Sequence, residues 1–251
     1  MIETDLSFFL VAAPAVVFAG ISKGGFGSGA AFAAASILAL VIAPGQALGI
    51  MLPLLMLVDM VTLKPYWRKW NWPDGRLLIL GGLPGTLLGA WLYAVADADL
   101  LRLLIGAICL LFVIWQFVTR RGLVRLAGHA MPQWAGAIAG VVAGFTSFVS
   151  HAGGPPAAIY LLSRGLGKTE FQATTVLIFW VLNIAKFVPY AFLGIFTAQT
   201  FLIDLMLAPF AVLGAWLGVK AHDLISERAF FAVTYVLLTV TGLRLIWVAL
   251  A

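Results

Sequence analysis

Ten apolar runs, divided only by short polar or glycine-rich breaks, fill the chain from Leu6 to Leu250, and no other feature limits its fold as severely. A helix needs about 20 largely apolar residues to cross a hydrocarbon core of ~30 Å. That length predicts helices over 7–22, 27–43, 46–67, 75–95 and 99–119 and, after a basic linker over 120–131, over 133–150, 153–164, 169–196, 199–221 and 227–251. The first two and the sixth and seventh are expected to be short, each pair interrupted at its middle by glycine or proline. Charged residues make up only 10% of the 251 residues, against about 25% in soluble domains. A water-facing surface cannot be built from so few, and no stretch remains for a soluble domain. The expected fold class is an all-α polytopic membrane protein.

Basic residues set its orientation, because short cytoplasmic loops retain lysine and arginine. Alternate loops hold Lys64, Arg68, Lys69 and Arg76; Arg120, Arg121 and Arg125; Arg164 and Lys168; and Lys220 and Arg228, which is eleven of the fifteen. The intervening loops carry Asp97 and Asp99 or almost no charge. The basic loops are therefore expected in the cytoplasm and both termini outside, in the periplasm of a Gram-negative host. The start, Met1 to Asp5, is acidic and lacks the basic region of a cleaved signal, so the first run is expected to be retained. Trp67, Trp70, Trp72, Trp115 and Trp134 near the inner ends, with Tyr93 and Trp247 near the outer ends, fit interfacial belts. The net charge of +5 is scattered over separate loops and forms no stripe for nucleic acid. The single cysteine, Cys109, rules out an intrachain disulfide and a cysteine-based metal cluster.

The two halves of the sequence resemble each other. Ala19-Gly20 recurs as Ala143-Gly144, and Asp59-x5-Pro65-Tyr66 as Asn183-x5-Pro189-Tyr190, both at an offset of 124. Gly89-Ala-Trp-Leu92 recurs as Gly214-Ala-Trp-Leu217, and Pro84 as Pro209, at an offset of 125. The expected division is a first repeat over 1–124 and a second over 125–251 within one membrane domain. Each half has an odd number of crossings, whether its short pair spans the membrane or re-enters, so the second half is expected to lie inverted. Inverted repeats with broken helices near the midplane are a recurrent architecture of secondary transporters.

The residues that carry chemistry gather at the breaks. The string Gly20-Ile-Ser-Lys23-Gly-Gly-Phe-Gly-Ser-Gly29 should interrupt its helix, and irregular backbone at membrane depth is tolerated only where it is buried in protein or lines a cavity. Lys23, with Ser22, Ser28 and the backbone at Gly24 and Gly25, is a candidate anion site; a lysine snorkelling to a loop is the other reading. The second break, Phe148 to Pro156, offers Ser150, His151, Gly153 and Gly154, and the hydroxyl of Ser147 stands beside it. His151 can donate to an anion, exchange a proton or serve structure alone. Asp59 and Asn183 occupy equivalent positions inside apolar runs, where an ionisable group costs at least ~2.5 to 3.5 kcal/mol and usually faces the bundle interior. Asp59 is a candidate for proton coupling, as is His151; alternatively Asp59 pairs with a lysine. Lys186, one turn beyond Asn183, shares its face and is a second candidate for anion binding. Asp204 is nearer a segment end, and Arg102 and Arg244 read as snorkelling side chains. The ladders Gly81/Gly85/Gly89, Gly136/Gly140/Gly144 and Gly214/Gly218 indicate close helix packing.

The paired breaks Gly20-Ile-Ser-Lys-Gly-Gly-Phe-Gly27 and Ser150-His-Ala-Gly-Gly-Pro-Pro156, with the Gly-Ala-Trp-Leu repeats, resemble the sulfite exporter TauE/SafE family over nearly the whole chain. The resemblance implies a prokaryotic plasma-membrane carrier that moves small sulfur-containing anions such as sulfite, sulfoacetate or other organosulfonates, usually outward, without a cofactor and without being an enzyme. The first break departs from many relatives, which continue into a proline-containing helix where this chain reads Ser28-Gly-Ala-Ala-Phe-Ala. Three other readings stand beside it. A carrier of transition-metal cations would need clustered acidic or histidine ligands, and Asp59, Asp204 and His151 are few and scattered. An intramembrane enzyme would need a His-Glu-x-x-His motif, which does not occur, or a Gly-x-Ser-x-Gly nucleophile turn, whose spacing Gly20-Ile-Ser-Lys-Gly24 matches without the preceding strand that such a turn requires. A non-transporting subunit of a larger assembly is the third. The implied partners are a small anion and the lipid bilayer, with exposed apolar faces that allow a homodimer.

Overall fold

The structure is a computed structural model that describes residues 5–26, 30–120, 130–221 and 227–251; these form ten helices, and no strand occurs among them. The helices are α1 (Leu6–Gly25), α2 (Phe32–Leu38), α3 (Pro44–Leu63), α4 (Trp72–Val95), α5 (Ala98–Arg120), α6 (Gln133–Ser150), α7 (Gly154–Ser163), α8 (Lys168–Phe192), α9 (Ala198–Ala221) and α10 (Glu227–Leu250). All but α2 and α7 are long and apolar enough to cross a membrane, and the protein is a multi-pass membrane protein. Side chains such as Leu80, Leu87, Trp91, Leu111, Phe192 and Trp247 are exposed on its flanks, as a lipid-facing surface requires.

Local sequence accounts for several helix ends. Asp5 caps α1 by accepting from the Phe8 N–H at 2.9 Å. That bond, with one from the Ser7 hydroxyl, holds the Asp5 carboxyl below the usual carboxylate range. Asn71 caps α4 by accepting from the Asp74 N–H at 3.0 Å. Proline opens α3, α4 and α7 within their first two positions, where the missing N–H would have no helical partner anyway.

The expected shortness of both members of each broken pair is corrected in one respect. With 20 residues in α1 and 18 in α6, only the second members are short, with 7 residues in α2 and 10 in α7. The helix does not stop at Gly20, because Gly20, Gly24 and Gly25 serve packing there. A β-carbon on Gly20 would lie 2.7 Å from the Ala215 nitrogen and 2.8 Å from the Gly214 Cα. The missing side chains thus let α1 and α9 approach backbone to backbone, and the helix runs on to Gly25.

Pairwise contacts fix the directions. Val17 meets Gly214 and Gly24 meets Gly218, so α1 and α9 run parallel. Leu78 meets Gly140 and Gly89 meets Phe148, so α4 and α6 do too. The glycine ladders lie in these two seams, except Gly136, which faces Tyr160 of α7. The α4 and α8 starts are tied by Asn71 donating to Glu170 at 3.0 Å and by the Thr174 hydroxyl accepting from the Asn71 N–H at 2.8 Å. α3 and α8 run antiparallel: Gly49 packs on Ile195, Asp59 bonds Asn183, and Tyr66 clusters with Ala173 and Val176. α5 and α10 are also antiparallel, with Gly106 against Gly242 and Phe112 against Tyr235. Hence α1, α3 and α9 finish at the end where α4, α6 and α8 begin. That end carries Lys64, Arg68, Lys69, Arg76, Arg164, Lys168 and Lys220, and is termed the basic end.

Candidate functional site

The buried polar residues of the two breaks converge on the crossing of α3 and α8. Lys23 Nζ, near the end of α1, lies 2.5 Å from Asp59 Oδ1 of α3, and only 2% and 0% of the two side chains is exposed. The same ammonium donates to the Leu55 carbonyl at 3.3 Å. Asp59 Oδ2 accepts from Asn183 Nδ2 at 2.7 Å, so both carboxylate oxygens are engaged. One turn further along α8, Lys186 Nζ donates to the Ser147 carbonyl at 3.1 Å and its hydroxyl at 2.9 Å, and meets His151 Nδ1 at 3.0 Å. Three acceptors match the three N–H groups of an ammonium.

His151 owes its position to a strained terminus. It ends α6 in the left-handed region at φ 56°, which non-glycine residues seldom occupy although histidine is enriched among those that do. Its N–H donates to the Ser147 carbonyl at 3.0 Å, and the next N–H, of Ala152, to that of Thr146 at 3.2 Å. The ring then reaches across to α3, where Nε2 lies 3.2 Å from the Leu48 carbonyl. A carbonyl can only accept and an ammonium can only donate, so these partners fix the neutral tautomer with the proton on Nε2.

Charge bookkeeping over this group is simple. Asp59 neutralises Lys23, and Lys186, with no exposed surface, forms no ion pair with any described residue. An ammonium at Lys186 would be the one charge of this group without an opposite partner. From the level of Leu48 to that of Asp59 the group spans eleven residues of α3, a rise of about 16 Å, so the Lys23 and His151 breaks lie at different depths, linked by Asn183 and Lys186.

The remaining predicted residues are placed around it. Ser22 is buried beside Lys23. Gly24 and Gly25 turn their α-carbons to α9, and the Gly24 carbonyl accepts from the Tyr66 hydroxyl at 2.9 Å. Ser28 lies outside the described residues. Ser150 returns its hydroxyl to the Thr146 carbonyl at 3.0 Å. Gly153 packs on Ala143, Ser147 and Phe179, and Gly154 opens α7. Asp204, in α9, is apart from the group and buried, with no hydrogen-bond partner for Oδ1 among the described residues.

Four members lie outside the residues that the sequence marks for binding. Ser147 reads there only as a hydroxyl near the break. Gln172 donates to the Lys23 carbonyl at 2.7 Å, and no sequence signal beyond its polarity in an apolar run points to it. Tyr66 and Tyr190 each anchor a break, Tyr190 donating to the Phe148 carbonyl at 2.6 Å as Tyr66 does to Gly24; the Pro-Tyr repeat carried that signal. Among the described residues no three His, Cys, Asp or Glu side chains are grouped to hold a metal ion. The family model that matches the chain is described as Sulfite exporter TauE/SafE and covers residues 12–245. No curated protein and no solved structure matches it.

Proposed function

Because this chain belongs to the sulfite exporter TauE/SafE family, a family of membrane transporters, we propose that it is a secondary carrier that exports a small sulfur oxyanion, either sulfite or an organosulfonate such as sulfoacetate, across a bacterial inner membrane. The observation that carries this reading is Lys186, a lysine buried with no ion-pair partner among the described residues. Burying an unpaired charge costs several kcal/mol, and a guest anion supplies what the fold leaves out. Ser147 and His151 touch it, Asn183 lies one turn away on α8 and holds Asp59 together with Lys23, and compact oxyanions accept several hydrogen bonds from donors of these kinds. A cation carrier would need carboxylates free to face its guest, whereas the one carboxylate here is already held by Lys23 and Asn183.

In this proposal residues 1–124 and 125–251 are inverted repeats, with the basic end in the cytoplasm and both termini in the periplasm. The antiparallel crossing of α3 and α8 supports the inversion, as does the bond between the repeat equivalents Asp59 and Asn183. Asp59 is assigned the coupling proton. Once protonated it no longer neutralises Lys23, whose ammonium then turns to the anion, so proton and anion enter together; His151, touching Lys186, is the second group able to take a proton. Titration calorimetry of the purified protein with sulfite, sulfoacetate, thiosulfate and sulfate tests the reading. Wild type is expected to bind at least one of these, and Lys186→Met to lose that binding; affinity unchanged by the substitution removes the site.

A further inference from the structure

Of the fifteen lysines and arginines, eleven fall in the basic-end loops by their places in the chain, and Lys23 and Lys186 are buried in the polar group. Two remain, Arg102 and Arg244. They are distant in sequence, yet the antiparallel contact of α5 with α10 sets both on the wall of one cavity of about 290 Å³ at the end opposite the basic loops. Arg102 Nη1 lies 2.5 Å from Asp99 Oδ1, in a pair whose aspartate is largely exposed; such surface pairs are weak and exchange partners readily. Arg244 makes no hydrogen bond or ion pair with any described residue. Two snorkelling arginines would each reach the interface separately, whereas these line one half-open cleft.

The rest of the wall is the run Ala39–Ala43 that follows α2, together with Leu245 and Val248. Helix α2 is the return arm from the Lys23 break, and it touches α5 where Cys109 Sγ meets Ser36 Oγ at 3.3 Å. Along the chain, α2 thus leads from the Lys23 break to the wall that holds the two guanidiniums. Pockets for small molecules usually measure about 300–1,000 Å³, so this one suits a small ion, and planar guanidinium forks match the oxygens of a sulfonate, sulfite or phosphodiester.

We propose that Arg102 and Arg244 form a second oxyanion site, at the mouth through which the guest leaves or enters. For a transported anion the inference rests on the carrier reading above; a lipid phosphodiester offers the same chemistry from another source. The full chain is reconstituted in neutral phosphatidylcholine, and sulfite and sulfoacetate flux is measured from each face for wild type and for Arg102→Gln/Arg244→Gln. The expected result is a KM raised several-fold at the face opposite the basic end, with KM at the basic face and kcat unchanged. In parallel, native mass spectrometry counts the phosphatidylglycerol retained by each protein. Lipid lost from the double variant while flux is unchanged assigns the same site to a headgroup. Equal retention, with equal KM at both faces, overturns the site. A wild type that carries no anion refutes the carrier reading instead, and the lipid count then decides the cavity alone.

Discussion

Lys23 and Lys186 carry the same charge in the same core but face opposite circumstances, and substitution should separate them. Removing Asp59 strands a buried ammonium, so Asp59→Asn is expected to destabilise the protein by about 3–5 kcal/mol. Lys23→Met/Asp59→Asn removes both charges and should recover most of that loss, which a thermal-unfolding double-mutant cycle in detergent reads directly; additive losses would mean that the pair is not coupled. Lys186 has no partner charge to strand. Lys186→Met should therefore leave the melting temperature unchanged or raise it while anion binding falls at least about tenfold, the share of one strong charge-assisted contact. A variant that melts much earlier would show that the lysine serves structure. At this scale the sequence disclosed the participants, because an ionisable side chain in an apolar run is costly enough to be driven inward. It offered a lysine as partner for Asp59 without telling which one. Lys23 could snorkel or bind on sequence grounds, and only the packing of α1 along α3 hands it to Asp59. Gln172 was invisible because an amide in an apolar run carries too small a penalty to announce a partner.

Helix positions were readable to within a few residues, since apolar length and terminal punctuation determine them. The function of the glycines was not equally readable. Gly81, Gly85, Gly89, Gly140 and Gly144 sit in the α4/α6 seam and Gly214 and Gly218 in the α1/α9 seam, as their four-residue spacing indicates, but Gly136 faces Tyr160 of α7, and Gly20, Gly24 and Gly25, which read as a break, belong to the α1/α9 seam. Spacing alone cannot tell a helix that stops from one that presses its backbone on a neighbour. The seam predicts that Gly144→Ala, whose new methyl would overlap the Gly82 carbonyl, costs about 1–3 kcal/mol by overpacking. Gly167, whose β-carbon would meet nothing within 4 Å, is the control, and Gly167→Ala should leave the melting temperature within a degree or two, as surface changes usually do. Equal effects at the two positions would mean that the seam tolerates separation. The end of α6 is a different kind of element. His151→Gly relieves the left-handed strain and should preserve the fold, yet it takes from Lys186 its ring partner, so flux should fall without loss of stability.

For the whole molecule, the proposed inversion would account for features that otherwise look unrelated. Tyr66 bonds the Gly24 carbonyl and Tyr190 the Phe148 carbonyl, and each of these residues is 124 positions from its counterpart. The lysines occupy reciprocal places: Lys23 lies on the first hairpin opposite Ser147 of the second, and Lys186 lies on α8 where α3 has Thr62. Under the proposed inversion a two-fold axis in the membrane plane would relate one hairpin to the other, and carriers built of inverted repeats alternate access by moving one repeat against its twin around a fixed midplane site. Two consequences can be measured. The first concerns protons: Asp59 competes with the anion for Lys23, so by linkage anion affinity should rise as pH falls and the protein should take up a proton on binding. Stabilised Asp59→Asn should bind the anion with no such pH dependence, and a slope that persists would transfer the proton to His151. The second concerns sidedness. In a Cys109→Ala background, Lys69→Cys at the basic end and Ala198→Cys at the opposite end are both exposed. If the basic loops lie inside, an impermeant maleimide should label the first only in inverted vesicles and the second only in right-side-out cells. Labelling of both from one side would leave the halves without opposed orientations and the two breaks without a shared guest.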